Sequence, residues 1–174
     1  ELEIQQTKAL GSARHMAYTD SLTGVKNKHA YIEAEQLVNK QIADGALTEF
    51  CVVVFDLNGL KVINDTKGHD AGDKYIKSAC SMICSQFKHS PVYRIGGDEF
   101  VAVAIGMTSD SLPKIRKKIE KQSASISAEK NFPFTLSCSI GAIPFTSDKK
   151  NLSELLLGAD ALLYEEKRQK HKQN

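Results

Sequence analysis

An α+β fold, with a mixed sheet flanked by helices, is what this sequence predicts, and three observations carry it. The segment EFCVVVFDL (49–57) is an unbroken β-branched and apolar run, which suits a central strand covered on both faces. Two shorter apolar runs, PVY (91–93) and FVAVAI (100–105), lie either side of the glycine pair in RIGGDEF and read as the arms of a hairpin. The other segments show helical apolar spacing and separate the strands, as in a sheet wrapped by helices.

Taken in order, the chain opens with ELEIQQTKALGSARHMAY (1–18), helical in pattern but with apolar residues too sparse for a core. It is expected to be a connecting helix from an absent upstream region, leaving 19–174 as one domain. In DSLTGVKNKHAY (20–31), Asp20 and Ser21 are turn formers, Gly24 permits a bend, and Asn27 is placed to cap a helix running to about Gly45. After the central strand, residues 58–87 predict two helices with a break near Gly68. The second carries Ile76, Ala79, Cys80, Ile83 and Phe87 on one face. Pro91 returns the chain to a strand, and the paired glycines 96 and 97 are expected to supply positive φ angles for the hairpin. A helix from Ser109 has Leu112, Ile115, Ile119 and Ile126 on one face. FTLSCSIGAI (134–143) is a further strand, and a last helix from about Asn151 has Leu152, Leu155, Leu156, Ala159, Leu162 and Leu163 inward, then a basic end.

The bulk properties narrow the function. The 174 residues suit one domain with a real core, and a net charge of +2 argues against a dedicated duplex-DNA binder. No apolar run reaches the length of a membrane span and no signal-peptide pattern opens the chain. The four cysteines, 51, 80, 84 and 138, lie in apolar stretches without zinc-like histidine spacing, as expected of buried free thiols in a reducing compartment.

The chemistry starts from Asp56. A carboxylate ending a buried strand is costly unless paired or bound to a cation. The hairpin could bring Asp98 and Glu99 beside it, and clustered acids favour a hard cation, magnesium or manganese, with oxygen ligands. Adjacent strand residues point to opposite faces, so only one of Asp98 and Glu99 need face Asp56. Asn64 and Asp73 together can read a guanine edge, because the carboxylate accepts from the ring N–H and amino group. Lys61 could neutralise phosphate charge. Singly, each of these residues is equally a polar helix face or a turn.

Together, DSLTGVKNKHAY, FDLNGLKVINDTKGHDAGD, RIGGDEF, SIGAI and ADALLYEEK resemble, in order, the successive signatures of the GGDEF family of diguanylate cyclases, from about Asp20 to Lys167. The resemblance implies a palm-type nucleotidyl cyclase fold with a central five-stranded mixed sheet, and condensation of two GTP into cyclic di-GMP and two pyrophosphates. It implies that Asp56 and Asp98, with the Leu57 carbonyl, hold one or two magnesium (or manganese) ions, and that Glu99 is an additional metal or neighbouring acid. It makes Asp98, Glu99 and Lys61 catalytic. Asn64 and Asp73 would read the guanine, His69 would lie near the nucleotide, and Lys167 would contact the triphosphate. The Gly96–Gly97 backbone would pass close to the α-phosphate, where a Cβ would intrude. Because one domain holds one GTP, the expected partner is a second GGDEF domain in a transient homodimer, with an upstream sensor. No nucleic-acid or membrane contact is expected of this domain, which the resemblance assigns to the cytoplasm as part of a larger membrane-bound or soluble bacterial signalling protein.

The sequence departs from the family pattern twice. The Arg-x-x-Asp of the inhibitory product site is replaced by FKHS, Phe87 to Ser90. The family's arginine four residues after Lys167 is His171, leaving Arg168 or Lys170 as substitutes.

Overall fold

Alternate residues of Phe50–Leu57 (strand β1) must point to opposite faces, and here both faces are apolar. Cys51, Val53, Phe55 and Leu57 belong to one core cluster, while Phe50, Val52 and Val54 belong to another. A strand with two apolar faces needs a helical layer on each. The computed structural model describes residues 2–172, apart from the side chain of His171, and it supplies those layers. The order is α1 (Leu2–Tyr18), α2 (Lys28–Ala43), β1, α3 (Leu60–Lys67), α4 (His69–Gln86), β2 (Val92–Arg94), β3 (Glu99–Ile105), α5 (Ser111–Ser127), β4 (Cys138–Pro144) and α6 (Leu152–Lys172). Residues of α4 and α5 join the Phe55 cluster, and those of α2 and α6 join the Val52 cluster.

The sheet runs β2-β3-β1-β4, with β1 antiparallel to both β3 and β4, and β2 antiparallel to β3. The fold is α+β as expected, but the expected five-stranded mixed sheet is, among the described residues, a four-stranded antiparallel one. What stands at the fifth position is a single parallel bridge from Lys26 to Tyr93, with the Arg94 amide donating to the Lys26 carbonyl at 2.8 Å. The residue after Lys26 is Asn27, the cap of α2, so the chain enters the helix at once and no strand develops along β2.

The helices start and stop where the sequence places them. The Asn27 side chain accepts from the Ala30 amide at 3.0 Å, which satisfies a free first-turn donor of α2. Gly68 separates α3 from α4 at φ +87°. The α1 helix has no buried residue. Three expectations need correction. Leu162 is exposed rather than inward. The strand expected from Phe134 begins at Cys138. Neither Gly96 nor Gly97 has a positive φ, so the hairpin does not need them for that reason. All four cysteines are free thiols, and no helix is long and apolar enough to cross a membrane among the described residues.

Candidate active site

Strand parity decides where Asp56 points. It shares its side of β1 with Val52 and Val54, the side that faces α6, and it is only 7% exposed. Its cross-strand neighbours in register are Glu99 on β3 and Ser139 on β4. Opposite residues of an antiparallel pair share a face, so Asp56 and Glu99 form a like-charge pair. Burial raises the Glu99 carboxyl above its ordinary value, and the negative charges of Asp56, Asp98 and Asp160 push it further, against a smaller opposing effect of Lys167. Asp98 comes from the turn before β3. Its carbonyl accepts from the Leu57 amide at 2.9 Å, and the residue lines the same cleft as Asp56. The acid directly opposite Asp56 is therefore Glu99, while Asp98 reaches the cleft from the turn.

The counter-charge is Lys167, whose Nζ donates to Asp56 Oδ2 at 2.8 Å. Gly141 explains how α6 comes so near. A Cβ at this position would lie 1.9 Å from the Ala159 carbonyl oxygen and 2.7 Å from the Leu163 nitrogen, so the helix backbone rests directly on β4. Lys167 stands one turn beyond Leu163 and thus on the same face of α6.

The cleft has a volume of about 430 Å³, with Asp56, Asp98, Ser139, Lys61, Lys167 and Lys170 among its lining residues. One wall is the loop 57–60, and its shape depends on residues not foreseen from the sequence. The buried Tyr75 hydroxyl donates to the Asn58 carbonyl at 2.7 Å and accepts from the Ser137 amide at 3.1 Å. The Asn58 side chain donates to Ser137 Oγ at 3.0 Å and accepts from Ser139 Oγ at 3.2 Å. Gly59, at φ +77°, then starts α3.

The glycine turn is pinned by another unforeseen pair. Arg94 donates to both Asp20 oxygens at 3.1 and 3.2 Å and to the Gly97 carbonyl at 2.7 Å. The two side chains are 13% and 19% exposed. Burial would raise the Asp20 carboxyl, but hydrogen bonds from Thr23 and Arg94 outweigh it and hold the group below its ordinary value. A Cβ on Gly96 would meet Glu99 Oε2 at 2.7 Å, whereas one on Gly97 would meet nothing within 4 Å. Gly96 thus makes room for Glu99, and Gly97 faces open space.

Asn64, His69 and Asp73 are placed elsewhere. They lie at the α3–α4 junction and do not line the Asp56 cleft. A Cβ on Gly72 would fall 1.9 Å from Asn64 Oδ1, so the Asn64 amide occupies the gap that this glycine leaves, beside Asp73 in sequence. His69 is the exposed first residue of α4. Of the basic residues near the C-terminus, Arg168 pairs with Glu165 at 3.6 Å, Lys170 lines the cleft, and the His171 side chain lies outside the described residues.

The donors at the cleft are hard oxygens, which suit magnesium or manganese. Among the described residues no three Asp, Glu, His or Cys side chains gather as a ready-made metal-binding group. The fit therefore rests on Asp56 and Asp98 together with backbone and water oxygens, the few-carboxylate pattern common for magnesium at phosphate sites.

A family model described as "Diguanylate cyclase, GGDEF domain" matches residues 17–173. Among curated proteins, the chain is 33% identical to the diguanylate cyclase DgcP of Pseudomonas aeruginosa over 165 residues, 91% of this chain and 24% of that protein. It is 32% identical over 168 residues to the cyclic di-GMP phosphodiesterase NbdA of the same organism, 94% of this chain and 21% of that one. The chain spans about half or less of the length of the curated relatives it matches. Among solved structures, the coiled coil and GGDEF domain of DgcB from Caulobacter crescentus, in complex with c-di-GMP, superposes with a TM-score of 0.83 at 23% identity. That match covers 96% of this chain and 90% of that one, a likeness of fold.

Proposed function

The chain belongs to the GGDEF-domain family of diguanylate cyclases, and on that premise we propose that it condenses two GTP molecules into cyclic di-GMP with release of two pyrophosphates. The observation that carries the reading is the buried Asp56, paired with Lys167 at 2.8 Å in a cleft that Asp98 also lines. A buried carboxylate with a lysine partner, a second acid and a further lysine beside it is suited to a metal–phosphate complex.

Asp56 and Asp98, with the Leu57 carbonyl, would hold magnesium or manganese, and Glu99 would adjust the charge beside them. A cation held there supplies charge neutralisation at the α-phosphate and at the leaving pyrophosphate. Lys61 and Lys167 bind phosphate oxygens. Gly97, with open space where a Cβ would stand, leaves the backbone accessible to the α-phosphate, and Gly96 keeps the turn close by seating Glu99. Asn64 and Asp73 bind the guanine edge, with His69 at the same end of the nucleotide. In each half-reaction a 3′-oxygen forms a bond to the α-phosphorus of the other GTP, the bond to the β-phosphate oxygen breaks, and Asp98 would receive the hydroxyl proton. One domain holds one GTP, so two domains meet face to face, their approach set by an upstream sensor attached through α1. The domain would work in the bacterial cytoplasm, as part of a larger membrane-bound or soluble signalling protein.

Product inhibition through an Arg-x-x-Asp site is not expected. Phe87 is buried in the core, and the Ser90 hydroxyl accepts from the Ile105 amide at 3.0 Å, so both positions have structural uses. Added cyclic di-GMP should leave initial rates unchanged, and potent non-competitive inhibition would contradict this.

The test of the activity is magnesium-dependent pyrophosphate release from GTP compared with ATP. The expected result is release from GTP alone, reduced about a hundredfold or more in Asp98→Ala, the scale of losing one group that stabilises transition-state charge. Nucleotide binding without release would make this a silent regulatory domain, and unchanged activity in the variant would overturn the Asp98 assignment.

A further inference from the structure

We propose that the outer face of α5 docks on an anionic lipid bilayer through Lys114, Lys117, Lys118 and Lys121. The α5 sequence holds five basic residues and one acid, a net charge of +4, whereas the whole chain carries only +2. The rest of the chain is therefore net negative, and positive charge is concentrated on this one helix. The proposal is independent of the cyclase reading, and it departs from the expectation of no membrane contact that the resemblance carries.

The helical period sorts these residues from the rest of α5. Ile115 and Ile119 are buried, and Leu112 and Ile126 pack against the same core cluster. With 3.6 residues per turn, the four lysines fall within an arc of about 100° on the side away from that apolar face. All four are exposed, and among the described residues none makes an ion pair. The nearby acids lie off the row. Glu120 lines the groove toward α6 with Glu165 and Glu166, where Glu166 is paired with Arg116. Asp110 and Glu129 stand beyond the two ends of the helix, and Glu129 shares the hollow between α4 and α5 with Lys77. Like charges three and four residues apart on a helix repel. No acid of the chain relieves this row, and a surface of lipid phosphates would.

The make-up of the face selects lipid over other polyanions. A protein partner needs a large apolar or aromatic anchor at the centre of its contact, and none of the exposed large hydrophobic residues lies on α4 or α5. Forked recognition of nucleic-acid phosphates and bases favours arginine, and this row is lysine throughout. Four ammonium groups spread over about 10 Å of helix, on a convex surface, can meet a plane together, and a cluster of this size on one helix suits an anionic leaflet. The layer formed by α4 and α5 covers one side of the sheet, and α2 and α6 cover the other, with α1 against α2. A bilayer against α5 therefore leaves α1 and α6 on the far side of the sheet.

Cosedimentation of the full chain with vesicles tests this, using equimolar phosphatidylglycerol and phosphatidylcholine against phosphatidylcholine alone, with lipid in millimolar amounts. Binding to the anionic vesicles only, lost at high salt, is the expected result. Each single Lys→Gln change among the four should weaken it about fivefold, and K114Q/K117Q/K118Q/K121Q should abolish it. The urea midpoint of that quadruple variant without lipid should be unchanged or raised, because only repulsion is removed. Lys40→Gln, at an exposed position of α2, should leave vesicle binding unchanged. If the quadruple variant does not fold, the single variants decide. Equal binding to both kinds of vesicle, binding to neither, or a loss in Lys40→Gln equal to that in the α5 variants overturns the proposal. Binding of duplex DNA through the same four lysines, without vesicle binding, would make the row a nucleic-acid site and overturn it as well.

Discussion

Replacing Gly141 by alanine tests whether the seat of α6 on β4 is what holds the cleft together. The added Cβ would stand 1.9 Å from the Ala159 carbonyl oxygen and 2.7 Å from the Leu163 nitrogen. Both are backbone atoms, so no side-chain rotation relieves the overlap. Bringing the first contact to the ~3.3 Å of a tolerable C–H···O approach requires α6 to retreat by about 1.4 Å. Overpacking of this kind costs about 1–3 kcal/mol, and with two backbone contacts the upper end, about 3 kcal/mol, is expected. The same retreat moves Lys167 away from Asp56, stretching a 2.8 Å contact beyond hydrogen-bonding distance and leaving a buried carboxylate opposite Glu99. Urea unfolding of wild type and Gly141→Ala at equal protein concentration measures the stability term, and pyrophosphate release under conditions where both are folded measures the second. A variant within about 0.5 kcal/mol of wild type and of equal activity would refute the argument that this glycine seats the helix.

Two further outcomes follow from the same geometry. Glu99→Gln should raise the urea midpoint at pH 7. The raised carboxyl of Glu99 means that its contribution to stability is fully present below its unfolded value of 4.5 and is lost as pH rises through the folded value. The variant's advantage should therefore vanish below pH 4.5, and a pH-independent gain, or none, would count against a Glu99 carboxyl raised by burial and by the charges of Asp56, Asp98 and Asp160. Gly72→Ala should separate stability from specificity. Its Cβ displaces the Asn64 amide, a movable group, while alanine improves helix propensity by up to about 1 kcal/mol. The expected result is unchanged or increased stability with a reduced preference for GTP over ATP, and intact nucleotide discrimination would detach Asn64 from guanine binding.

The fold was legible wherever a single period dominated. The apolar run ending at Asp56 required a doubly covered strand, and Asn27 and Gly68 marked helix ends through capping and backbone freedom. The sheet's edge was not legible, because the chain beside β2 makes one bridge at Lys26 and then enters α2 at its cap Asn27, a tertiary pairing that no apolar pattern announces. The glycines of RIGGDEF suggested a positive-φ hairpin, but the structure uses Gly96 to make room for Glu99. Of the site, Asp56, Asp98, Lys61 and Lys167 could be chosen from residue type and motif, and they line one cleft. Tyr75, Ser137, Asn58, Arg94 and Asp20 could not, since their importance lies in hydrogen bonds across long stretches of chain. The requirement for Gly141 is likewise a tertiary fact, visible only once α6 is seen against β4. Strand parity indicated that only one of Asp98 and Glu99 need face Asp56, and the register makes that residue Glu99.

The central claim is that two copies of this domain join two GTP molecules, each copy presenting one. The most direct measurement is the initial rate of cyclic di-GMP formation from GTP over a range of dilute protein concentrations, with the oligomeric state measured in the same solutions. A rate that rises with the square of protein concentration is the predicted result. A concentration-independent specific activity from a proven monomer would contradict it.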